Sequence, residues 1–178
     1  MTHILPYCEI DGVRTFTDSE IVDIYNRMKA NDTVDGVFID EQIVSADDFL
    51  RVMKYGENHL YLVLDDDRIV AFFWLNRFEG KTARLHFGFL DLGRKDKVDI
   101  GKQCVEEVLA LTDNMNEYVF DMLIGVTPIS NKAACKYVQA VGLKKIGVLP
   151  FGVYNRFTRK SEAAMIGYLS REVDNESV

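Results

Sequence analysis

The sequence predicts an α+β fold, a mixed sheet covered by helices. Three observations predict it. Two capped amphipathic helix patterns stand near the start of the chain. Three strand-like runs joined by tight turns follow, as in a meander. The remainder alternates helix and strand, which calls for crossover connections.

Composition supports one compact domain. The chain has 178 residues, is 48% hydrophobic and carries only three prolines, which suits a buried core. We expect a single domain over 1–172, with 1–12 as an N-terminal arm or first strand and 173–178 as a tail. The formal charge of −7 argues against a nucleic-acid partner, which needs a basic face. Cys8, Cys104 and Cys135 are odd in number and widely spaced, so neither a disulfide framework nor a metal site is expected. MTHILPYCEIDG lacks a basic region followed by an apolar run, and no apolar stretch reaches bilayer length. A cytoplasmic setting with no membrane partner is the expectation.

The elements follow in order. Thr17-x-x-Glu20 is a capping box, and Ile21, Ile24, Tyr25 and Met28 share a helical face behind it. NDTVDGVFIDEQIV reads as an irregular loop. Ser45-x-x-Asp48 starts a second helix carrying Phe49, Leu50 and Met53. Leu60–Leu64 and Ile69–Leu75 are nearly all apolar, a hairpin buried on both faces around Asp65-Asp66-Asp67. After the turn Glu79-Gly80-Lys81, Leu85, Phe87 and Phe89 alternate with Arg84, His86 and Gly88. Ile100, Cys104, Val108 and Leu111 mark a helix. Tyr118–Val126 reads as a buried strand broken by Thr127-Pro128. Ser130 is placed to cap a helix with Ala134, Tyr137, Val138 and Val141 on one face, closed by Gly142. Leu143–Leu149 and Ala163–Leu169 are the last strands, with Pro150–Lys160 as a loop between them.

Arg94, Lys95, Lys97 and Lys102 cluster at a strand-to-helix junction in an acidic chain. A helix N-terminus has unpaired amides and a partial positive charge, and a glycine such as Gly101 lets backbone approach an anion. That combination suits a phosphate; the competing role is a solvated polar loop.

The residues around the loop resemble the GNAT N-acetyltransferase superfamily, nearest its ribosomal-protein N-acetyltransferase-like branch. Gly88-Phe89 and Ile100-Gly101 match the ends of that branch's strand–loop–helix pattern, and Asn131, Ala134, Gly142 and Leu143 stand at its downstream spacing. The resemblance covers about residues 13–170. It implies a mostly antiparallel central sheet of about seven strands, helices on both faces, and a V-shaped splay between strands 4 and 5. It also implies acetyl-CoA as cosubstrate. Phe89, Leu90 and Asp91 would offer backbone to pantetheine; Lys97, Val98, Asp99, Ile100, Gly101 and Lys102 would cradle pyrophosphate; Asn131 would meet the CoA arm. The pattern's Arg or Gln falls on Asp96, and its first two loop glycines fall on Lys97 and Asp99. The tyrosine that often follows the Asn falls on Val138, with Tyr137 one residue early.

Amine acetylation needs a deprotonated amine and a protonated leaving thiolate. His86 on the alternating strand, Asp121 in an apolar run and Tyr137 on the helix are the catalytic candidates. Asp32–Asp40 and Pro150–Arg159 flank the expected acceptor side. Two readings stand: an N-acetyltransferase acting by direct attack on a primary amine of a small molecule, protein N-terminus or lysine, or a non-catalytic module keeping the fold. A homodimer is a possible assembly under either.

Overall fold

The computed structural model describes residues 2–39 and 43–171. The tail at 173–178 and Asp40 of the expected acceptor loop lie outside the described residues. The elements are β1 (Thr2–Pro6), β2 (Glu9–Ile10), β3 (Val13–Arg14), α1 (Asp18–Ala30), α2 (Val34–Val37), α3 (Ala46–Met53), β4 (His59–Asp65), β5 (Arg68–Glu79), β6 (Thr82–Phe89), α4 (Lys97–Leu109), β7 (Met122–Pro128), α5 (Lys132–Val141), β8 (Lys144–Asn155) and β9 (Lys160–Ser170).

Among the described residues, seven strands form one sheet in the order β1-β4-β5-β6-β7-β9-β8. Every neighbouring pair is antiparallel except β6 and β7, the fourth and fifth strands across the sheet. The α+β class and the mostly antiparallel seven-stranded sheet are therefore as expected. Alternation explains both cores. Tyr61, Val63, Ala71, Phe73 and Leu75 face α4 and α5, while Leu60, Leu62, Phe72 and Trp74 face α1 and α3.

Two of the three predicted N-caps form. Thr17 accepts from the Glu20 amide while Glu20 accepts from the Thr17 amide, and Ser45 accepts from the Asp48 amide. Four expectations need correction. The expected irregular loop contains α2, one helical turn carrying the buried Val34. The strand expected from Tyr118 begins at Met122: Tyr118 instead bridges Thr112 across a turn whose Asp113 carboxylate takes the Met115 and Glu117 amides. Pro128 ends that strand rather than breaking it before Thr127, pairing with Ala164 where its missing N–H costs little. The loop expected at Pro150–Lys160 is mostly strand. β8 runs to Asn155 on the sheet edge, with a bulge between Leu149 and Val153 that takes up Pro150.

Candidate functional site

β6 and β7 pair at Thr82–Met122, Ala83–Leu123 and Arg84–Ile124, and then part. Beyond Arg84, β6 stays on β5 as far as Ala71–Phe89, and β7 stays on β9 as far as Pro128–Ala164. Over the parted end of β6, the Tyr137 ring of α5 packs 5.8 Å from Phe87 and 5.5 Å from Phe89. A cleft of about 550 Å³ passes through the opening. Residues 85–89 of β6 and 125–128 of β7 form its sides, and α4, α5 and the α2 segment close its ends.

Four of the expected cofactor residues line this cleft, namely Phe89, Lys97, Gly101 and Asn131. Leu90 and Ile100 are buried in the two cores. Asp91 turns its carboxylate to the Gly93 amide at 3.0 Å, while Asp99 and Lys102 are exposed on α4. Val98 is half-buried outside the cleft lining.

The junction itself is built differently from the sequence expectation. Arg94 is clamped: Nε and Nη2 donate to Asp96 at 2.9 and 2.6 Å, and Nη1 donates to Asp65 at 2.8 Å. Its charge is balanced by two carboxylates within the protein. Lys97 donates from Nζ to the Leu92 carbonyl and lies 5.7 Å from the Phe89 ring centre. Gly101 also serves the packing of two helices. A Cβ there would lie 2.2 Å from Tyr137 Oη and 2.6 Å from Val141 Cγ2, so this glycine lets α5 approach α4. What remains at the mouth is the helix end itself. α1, α3 and α5 each have a side-chain cap, while α4 and the single-turn α2 have none. The first-turn amides of α4 carry the partial positive charge an anion seeks.

Asn131, not Ser130, caps α5, accepting the Ala134 amide at 3.0 Å, while Ser130 donates to Glu162. Tyr137 donates to the Lys97 carbonyl at 3.3 Å, and burial pushes its phenol well above the ordinary range. Asp121 is not brought to the site. It is exposed, accepts from Arg171 at 2.7 Å and is absent from the cleft lining, because the strand it was expected to occupy starts one residue later.

His86 does line the cleft, on the face opposite Phe87 and Phe89. It stacks on its cross-strand partner Trp74, ring centres 4.4 Å apart and 8° from parallel. Burial, then the nearby Arg84 and Arg77 charges, pushes its imidazolium down to about 3, so the ring is neutral at ordinary pH. Trp74 also lines the cleft, and its Nε1 has no hydrogen-bond partner. From the α2 side, Asp32, Thr33, Gly36 and Ile39 close this end. The Arg156 amide donates to the Ile39 carbonyl at 3.1 Å, which ties the two segments expected on the acceptor side together. Sequence reasoning missed Thr127 and Gly125 of β7. Neither carries a local signal; only the parting of the strands exposes them.

No family model and no curated protein matches the chain. Solved structures do. Spermidine N-acetyltransferase from Vibrio cholerae, in complex with CoA and spermine, superposes with a TM-score of 0.67 at 10% identity, covering 94% of this chain and 95% of that one. An acetyl transferase from Salmonella typhimurium that modifies the N-terminal serine of ribosomal protein L7/L12 gives 0.70 at 10% identity, covering 88% and 92%. Ribosomal-protein-S5-alanine acetyltransferase from Vibrio fischeri gives 0.65 at 12% identity, covering 93% and 97%. The chain has the fold of the GNAT acetyltransferases.

Proposed function

We propose that the protein is an acetyl-CoA-dependent N-acetyltransferase that acts on a primary amine by direct attack in a ternary complex. One observation carries this reading: the sheet parts beyond Arg84, and the parting leads to the uncapped N-terminus of α4. The β6 edge at residues 85–89, which β7 no longer pairs, suits the amides of a pantetheine arm, and the α4 amides with Lys97 suit a pyrophosphate. The cleft volume falls in the range of small-ligand sites. The residues present thus fit acetyl-CoA, which would supply an activated acetyl thioester. The chain's own part is to hold that thioester and the amine together, and positioning alone can supply much of the rate. Tyr137 takes the role of cleft wall and α4–α5 spacer. The acceptor enters from the side of His86, Trp74 and the α2 segment, where Asp32 favours a cationic amine.

Calorimetry with acetyl-CoA and CoA tests this, with saturable binding of both expected. No heat at about millimolar cofactor overturns it, since that affinity is already weak. Thiol release across a panel of polyamines, small amines and peptides then identifies the acceptor. The second reading, a non-catalytic module, is favoured by the clamped Arg94 and by Asp99 in the first turn of α4. Cofactor binding without turnover across the panel selects it.

The homodimer reading draws support from the β8 edge. Ile146, Val148, Leu149, Phe151 and Tyr154 are exposed there, and such edges are normally covered. Sedimentation of the protein with and without Phe151→Lys tests it: the variant shifts a dimer toward monomer. The three cysteines are free thiols, which suits the reducing, cytoplasmic setting proposed here.

A further inference from the structure

His86 is joined to a chain of two amide side chains outside the cleft. Its Nε2 lies 3.0 Å from Asn76 Oδ1. Asn76 Nδ2 lies 3.2 Å from Asn58 Oδ1, and Asn58 Nδ2 lies 2.9 Å from the Val52 carbonyl. All three side chains are partly buried.

The direction of this chain does not depend on how any one amide is drawn. The Val52 carbonyl can only accept. Asn58 must therefore turn its NH₂ to it, which leaves Asn58 Oδ1 facing Asn76. Asn76 must then donate, which leaves its own Oδ1 facing His86. An acceptor facing Nε2 requires a proton on Nε2. Reversing any link sets two acceptors or two donors against each other. Stacking on Trp74 holds the plane of the ring, so the chain fixes the tautomer as well as the position.

We propose that Asn58 and Asn76 are positioning residues that keep His86 as the Nε2–H tautomer, so that its bare Nδ1 serves the cleft as a standing hydrogen-bond acceptor for an N–H of the incoming amine. This rests on the acetyltransferase reading. In it, His86 orients the acceptor and does not carry away its proton. The charged groups around the ring agree. Burial opposes a second proton on the imidazole, and Arg84 on β6 and Arg77 on β5 oppose it further. Asp32 lines the same cleft from the α1–α2 junction. Amines without an N–H gain nothing from Nδ1, so the site prefers primary and secondary amines.

Ring-nitrogen NMR of the full chain with isotope-labelled histidine tests the tautomer without any turnover. His86 should show Nε2 protonated and Nδ1 bare from about pH 5 to about pH 8, a window in which an ordinary histidine titrates. Asn76 supplies the acceptor at Nε2. Asn76→Leu removes it and should give a tautomer mixture at His86, with His3 and His59 unchanged. An Nδ1–H tautomer or an imidazolium in the unaltered protein overturns the proposal, and that measurement stands even where Asn76→Leu fails to fold. With an accepted amine in hand, Asn76→Leu should raise its KM about tenfold, the worth of one directed hydrogen bond, with the KM for acetyl-CoA within about twofold. An unchanged amine KM overturns the positioning role. Absence of turnover in the unaltered protein would sink the acetyltransferase reading alone, and the NMR result would still decide the tautomer.

Discussion

Gly101 shows how a residue's role depends on what lies across from it. Its place near the start of α4 suggested room for an anion, and a Cβ there would press on Tyr137 and Val141. Gly101→Ala should therefore destabilise the protein by about 1–3 kcal/mol in urea unfolding, as overpacking does. Adding Tyr137→Phe removes the oxygen nearest the new methyl and should recover part of the loss. Equal stability of the single and double variants would count against this packing account. Gly88 is a parallel case, since a Cβ there would meet the Phe72 ring at 2.4 Å. Other residues are legible from their sequence neighbours alone. Thr17, Ser45 and Gly142 act as their local patterns predict, Gly142 closing α5 at φ 118°. Capping is a contact between near neighbours in sequence, so the chain itself records it. Asp121 is not legible in this way, because its burial depends on where β7 begins.

At the scale of elements, the β6–α4 connection is held by Arg94 between Asp96 of its own loop and Asp65 of the β4–β5 turn. Hydrogen bonds from Arg94 hold both carboxyls below their ordinary values. A depressed carboxyl stabilises the folded state above its unfolded pKa, about 4, and that contribution is lost as pH falls through the folded value. The stability difference between the unaltered protein and Arg94→Met should thus stay constant from about pH 5 to about pH 8 and shrink below about pH 4. A difference that grows on acidification would contradict the clamp. The same variant should weaken CoA binding by about 3- to 10-fold, because the mouth of α4 must then be ordered at the moment of binding. The sequence shows four basic residues at this junction but not which of them an acidic turn far along the chain neutralises.

At the scale of the molecule, the cleft exists because one strand of a continuous sheet changes its company. β6 keeps β5 along its length but keeps β7 only as far as Arg84. Amide exchange should show this. Residues 85–89 and the first turn of α4 should gain protection when CoA is added, and β4 and β5 should not. Equal protection gains across the whole sheet would argue against a cofactor seated in the parting. No helix among the described residues is long and apolar enough to cross a membrane. Most element types and their order, both faces of the β4–β5 hairpin and the caps at Thr17, Ser45 and Gly142 were readable from period and local chemistry, while α2, the outer half of β8 and the Asn131 cap were not, and the family resemblance pointed to the fold. Three things required the folded chain: the depth of the cleft, the pairing that consumes Arg94, and the amide chain that orients His86. Each joins residues remote in sequence, as Arg94 to Asp65 and His86 through Asn76 to Asn58. A linear pattern carries the preferences of neighbours, and only packing decides which distant groups meet.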